Sequence, residues 1–92
     1  MRITNAMLER VVERLNIAAG TPTTPWSRKD GRSTANIGNF HISGAYGGVS
    51  LQEMSGEGGS VNDVFRCGHI PKRELFDKIH AFLDGMDYEA KR

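Results

Sequence analysis

Asn39-Phe40-His41-Ile42-Ser43-Gly44-Ala45-Tyr46-Gly47-Gly48-Val49-Ser50-Leu51-Gln52 alternates apolar and polar side chains on either side of a glycine pair. Phe40 and Ile42 point one way and His41 and Ser43 the other. Val49 and Leu51 against Ser50 and Gln52 repeat that period of two, which predicts two strands joined by a tight turn at Gly47-Gly48. Around this stretch, eight of the eleven glycines (Gly38, Gly44, Gly47, Gly48, Gly56, Gly58, Gly59 and Gly68) fall between two helical segments. Glycine spaced among Phe40, Ile42, Val49, Leu51, Val61, Val64 and Phe65 suits short strands and tight turns, because glycine enters positive φ without steric penalty. The turn Ser55-Gly56-Glu57-Gly58-Gly59-Ser60 leads to a third strand expected over Val61 to Cys67, which completes an antiparallel meander.

The flanks are helical. Met7, Leu8, Val11, Val12 and Leu15 recur at helical spacing over Asn5 to Ala18. Thr4 is placed to cap that helix, Ile3 and Leu8 sit at hydrophobic-staple positions, and Gly20 and Pro22 stop it. Pro71 opens a second helix whose stripe is Leu75, Ile79, Phe82, Leu83 and Met86, expected to end near Gly85 with residues 87–92 fraying. Between the first helix and the meander, Pro25-Trp26-Ser27-Arg28 and Ser33-Thr34-Ala35 read as arms of a short hairpin turning at Lys29-Asp30-Gly31. The expected fold is therefore α+β, a two-layer sandwich of helix, three- or four-stranded antiparallel meander and helix. Both helices cover one sheet face and the other face is left open. One domain spans residues 1–92.

Composition bounds the function. A chain of 92 residues buries only about 60–65% of its unfolded surface, so homo-oligomerisation is an expectation. Twelve basic and eleven acidic residues give a net charge of +1, so any charged site must be local. The single cysteine, Cys67, excludes an intramolecular disulfide, and no apolar run approaches the length of a membrane span. With no apolar leader at the N-terminus, a cytoplasmic protein that contacts no membrane is expected.

Arg28, Lys29 and Arg32 cluster around the Asp30-Gly31 turn with Trp26 just upstream. A basic hairpin tip beside an aromatic suits an RNA or DNA backbone or a protein partner, and the plainer alternative is a solvated turn beside a tryptophan that plugs a small core. Lys72 and Arg73 occupy the first turn of the second helix, where the helix dipole disfavours cations by about 0.3–1 kcal/mol each. With His69 and free N–H groups nearby they form a candidate anion site; alternatively they fan into solvent, with Arg73 pairing to Asp77. Tyr46 beside Gly47-Gly48 marks either a close ligand approach or an ordinary hairpin turn. Cys67-Gly68-His69 sets a thiol and an imidazole two residues apart, but no second ligand pair supports a metal site and no oxyanion donors support a nucleophile, so no catalytic residue, metal or cofactor is expected. The competing reading of Cys67 is a small buried residue ending a strand.

The run Ile37 to Leu51 with its Gly44-Ala45-Tyr46-Gly47-Gly48 core, followed by Gly58-Gly59 and Pro71-Lys72-Arg73-Glu74-Leu75, resembles small proteins encoded by tailed phages and prophages. The similarity covers about two thirds of the chain, and its motifs are diagnostic of no chemistry. Phage accessory proteins of this size and build include anti-CRISPR proteins, type I-F inhibitors among them, which the chain resembles in kind. The resemblance implies a host bacterial cytoplasm and a non-enzymatic inhibitor that covers the path of a type I CRISPR surveillance complex, its Cas proteins and guide RNA, to target DNA. In that setting Arg28, Lys29 and Arg32 are expected to meet guide RNA or replace DNA phosphates, Lys72 and Arg73 to form a second anchor, and Trp26 and Tyr46 to add aromatic contacts. Two rivals stand beside it: an oligomeric sponge for a nucleotide signal, cradled by the glycine turns and the Lys72-Arg73 helix start, and a small enzyme using Cys67 and His69.

Overall fold

A computed structural model describes residues 2–91. The elements follow in the order α1 (Asn5–Ala19), β1 (Trp26–Lys29), β2 (Arg32–Ala35), β3 (Phe40–Ala45), β4 (Gly48–Met54), β5 (Val61–Asp63) and α2 (Lys72–Ala90). Helix α1 begins where expected, with the Thr4 hydroxyl accepting the Met7 N–H at 3.2 Å. It ends at Gly20, whose φ of 70° lets the chain reverse while the Gly20 and Thr21 N–H groups bond the last carbonyls of the helix. Its stripe of Leu8, Val11, Val12 and Leu15 is buried, as is Ile3 at the staple position.

Strands β3, β4 and β5 form the antiparallel meander, in that spatial order. Ile42 lies opposite Leu51 and Gly44 opposite Val49, so Phe40, Ile42, Val49 and Leu51 share the inner face. Both helices pack on that face: Leu8, Leu15, Leu51, Leu75 and Ile79 belong to one core and are almost wholly buried. Truncating any of these to alanine removes about 2–5 kcal/mol. The Phe82 ring meets Phe40 and Phe65 edge-on at centroid distances of 6.3 and 5.9 Å. The α+β sandwich with both helices on one side is thus the observed architecture.

Three details depart from the sequence reading. The strand expected over Val61 to Cys67 stops at Asp63, because the Asp63 carboxylate captures the N–H groups of Arg66 at 3.1 Å and Gly68 at 2.8 Å and folds the chain into a tight excursion. Arg66 and Gly68 take positive φ there, and the chain regains the sheet only at Ile70, which exchanges two 2.8 Å hydrogen bonds with Val49. Cys67 rides that excursion and is exposed, not buried. Helix α2 does not end near Gly85: it continues to Ala90, with Met86 packed against the core and Lys91 paired to Asp87 at 3.0 Å, so residues 87–90 are helical. Arg92 lies outside the described residues.

The β1–β2 hairpin forms a separate two-stranded sheet. Every residue of its strands except Ala35 is exposed, so it stands off the core as an arm. Several contacts fix its base: the Asn36 N–H donates to the Pro25 carbonyl at 2.8 Å, the Asn36 Nδ2 donates to the Thr24 carbonyl at 3.0 Å, and the Trp26 ring lies against Gly59 so closely that a Cβ there would come within 2.8 Å of it.

Candidate functional site

The hairpin tip is built by its turn. Asp30 and Gly31 have φ of 53° and 75°, the doubly left-handed turn whose twist matches two antiparallel strands. That turn fixes the register Lys29 opposite Arg32 and Arg28 opposite Ser33. Lys29 and Arg32 therefore face each other across the strands on one side of the arm, while Arg28 shares the opposite side with Trp26. None of the three cations has an ion-pair partner among the described residues. Two like charges set opposite at a strand end oppose pairing, so the arm concentrates positive charge against its own local stability. Trp26 keeps 46% of its surface exposed although it anchors the arm on Gly59.

A second group gathers on the outer face of the sheet. Tyr46 is 98% exposed and holds φ of 53°, an uncommon conformation for a bulky side chain. The turn residues are Tyr46 and Gly47, one position earlier than the Gly47-Gly48 turn read from the sequence. Gly48 instead belongs to β4, where an added Cβ would lie 3.0 Å from the His69 carbonyl carbon and 3.0 Å from the Ile70 carbonyl oxygen. This glycine admits a second backbone, and the backbone is the chain's own. The His69 ring packs edge-on to Tyr46 at 5.8 Å and sets Nε2 3.5 Å from the Ser43 hydroxyl. Ser43 lies opposite Ser50, whose buried hydroxyl has no hydrogen-bond partner among the described residues. The outer face is consequently closed at its centre rather than open throughout.

His41, further along that face, has its pKa lowered, chiefly because burial disfavours the imidazolium, with a hydrogen bond to Gln52 acting weakly in the other direction. The Asn39 amide nitrogen is committed to the Pro22 carbonyl at 2.8 Å, so its oxygen faces His41 Nδ1 at 3.1 Å and that nitrogen carries the proton.

The structure unites the sequence-selected residues only in part. Trp26, Arg28, Lys29 and Arg32 share the arm, whereas Tyr46 sits at the tip of the other hairpin with His69. Lys72 and Arg73 are exposed in the first turn of α2, where Pro71 supplies no side-chain cap and Glu74 brings an offsetting negative charge. The Cys67 thiol donates to the Gly68 carbonyl oxygen at 3.9 Å while His69 turns to Ser43, so the two are not brought together as a pair. No group of three or more His, Cys, Asp or Glu able to hold a metal exists among the described residues. Nor, among those residues, is any helix long and apolar enough to cross a membrane.

Sequence reasoning passed over Asp63 and Ser50. The trace of the first was a short acidic side chain ahead of Gly68, a glycine that takes φ of 69°; nothing local marked the second. No protein-family model matches the chain, and no curated protein or solved structure matches it either.

Proposed function

We propose that the chain is a non-enzymatic binding protein whose β1–β2 arm grips a polyanionic partner, a nucleic acid or a ribonucleoprotein. One observation carries this reading: three unpaired cations ride an exposed arm whose register sets Lys29 against Arg32. Among the described residues no ion pair uses those charges, and a phosphate backbone would neutralise them together. The half-exposed Trp26 beside Arg28 offers a face on which a base can stack. Within this reading, the resemblance to phage proteins supports a narrower form, a phage-encoded inhibitor that acts in the host cytoplasm by occupying a type I CRISPR surveillance complex. Tyr46, Lys72 and Arg73 would supply secondary contacts.

Fluorescence anisotropy with a labelled single-stranded RNA of mixed sequence tests the general form. Three phosphate contacts at about 0.7 each give a log–log salt slope of about −2. Reversing Arg28, Lys29 and Arg32 to glutamate should abolish binding without altering the fold. Binding that survives the reversal, or no RNA binding by the unaltered chain, overturns it. The narrower form is checked by adding the chain to a purified surveillance complex and measuring target DNA capture, which must fall at equimolar protein.

A further inference from the structure

Strand β3 is an edge strand, and part of its rim is open beside an acidic stripe of α1. Met54 donates its N–H to the Asn39 carbonyl at 2.8 Å, which sets the phase of the β3–β4 ladder: His41, Ser43 and Ala45 turn their backbone groups toward β4. Phe40, Ile42 and Gly44 must then turn theirs to the free rim. Val49, opposite Gly44, confirms the phase from the far side, since both its backbone groups go to Ile70. At the rim Phe40 is closed by the Asn16 side chain. Among the described residues, nothing closes Ile42 or Gly44.

A groove of about 470 Å³ opens at the Ile42 end of this rim, with His41 and Ile42 on one wall, Glu9 and Glu13 on another, and Thr23, Thr24 and Pro25 beside them. The two glutamates are four apart on one helix face and have no cation partner among the described residues. Arg10 and Arg14 line a different groove, between α1 and α2. The exposed charges of α1 are thus sorted by side, negative toward the open rim and positive away from it.

We propose that the Ile42–Gly44 rim of β3 receives an extended peptide strand bearing lysine or arginine at alternate positions. The incoming strand adds to the sheet through the N–H and C=O groups of Ile42 and Gly44, and its cations meet Glu9 and Glu13. The spacing suits this partner: alternate residues of a strand lie about 6.8 Å apart, and helix residues four apart are separated by about 6 Å along the axis. The charge also selects against the other occupants. A second copy pairing rim to rim about a two-fold axis would set its own Glu9 and Glu13 against this pair, and a nucleic-acid backbone would meet the same negative stripe. The site uses none of the arm's cations, so either binding reading can fail alone.

The test uses the full chain, isotope-labelled, and two capped hexapeptides, one alternating lysine with threonine and one alternating glutamate with threonine. The lysine peptide should slow amide hydrogen exchange at Ile42 and Gly44 and the glutamate peptide should not. Glu9→Lys with Glu13→Lys should weaken binding about ten-fold or more, as loss of partly desolvated charge pairs does. Gly44→Pro should abolish it by removing a rim donor, at an edge position where proline is tolerated; if that variant melts early, the charge reversal and the exchange pattern decide on their own. Equal binding of the two peptides, no binding of either, or protection elsewhere overturns the proposal. Dimerisation through β3, or single-stranded RNA protecting the same amides, overturns it as well.

Discussion

Asn16 and Phe40 are joined by two hydrogen bonds: the asparagine Nδ2 donates to the Phe40 carbonyl at 2.9 Å, and the Phe40 N–H donates to Oδ1 at 2.8 Å. A single side chain thereby reproduces the pairing of a neighbouring strand residue and pins α1 to the sheet. Both residues are buried, so neither backbone group has water to fall back on. Asn16→Ala should cost about 2–4 kcal/mol, the sum of two orphaned buried groups after partial relaxation. Urea unfolding of the two proteins checks it, and a loss under about 1 kcal/mol would mean that water replaces the amide.

Lys29 opposite Arg32 leads to the reverse effect. Lys29→Glu turns a repulsive cross-strand pair into an attractive one and should raise stability by a few tenths of a kcal/mol, up to about 1, while weakening RNA binding. Thermal melting and anisotropy on the same variant should move in opposite directions. Parallel losses would show that the cations hold the arm together.

Tyr46 adopts a left-handed conformation while 98% exposed, its ring in edge-on contact with His69. Tyr46→Gly should therefore stabilise the chain by about 1 kcal/mol, the approximate cost of holding a bulky residue there. Denaturant midpoints decide the matter. A destabilised variant would mean that the Tyr46–His69 contact outweighs the strain.

His41 predicts a pH dependence. Its folded pKa lies below the ordinary value of 6.5, so below that pH the unfolded chain binds more protons than the folded one. The contribution of His41 is complete above pH 6.5 and is lost as the pH falls from there through the folded pKa. In His41→Gln the decline across that window should flatten. Stability measured at intervals between pH 5 and 7.5 tests this, and an unchanged slope would assign the decline to other groups.

Much of the fold was legible because its signals are local. Thr4 and Gly20 bracket the first helix within one turn of each end, and Asp30-Gly31 names its own hairpin. What escaped depends on residues distant in sequence or on side chains competing with the ladder. Asp63 takes the N–H groups of Arg66 and Gly68 and turns the chain away from the sheet, a contest that the apolar Val64 and Phe65 do not reveal. Helix α2 passes through Gly85 because Met86 finds the core beyond it, a tertiary effect that overrides a weak local preference. Of the site residues, the clustering of Arg28, Lys29 and Arg32 followed from a two-residue turn. The pairing of Tyr46 with His69 did not, because it depends on Ile70 rejoining the sheet beside Val49.

The arm shares no ladder with the main sheet, and its strands leave only Ala35 buried. Its opening therefore requires only the contacts at Ala35 and Trp26 to part. Backbone amides from Trp26 to Ala35 can exchange through a local excursion of low free energy while those of β4 wait for complete unfolding. A segment of this kind can reshape itself around a ligand and relax again on release, with the rest of the molecule serving as an undisturbed anchor.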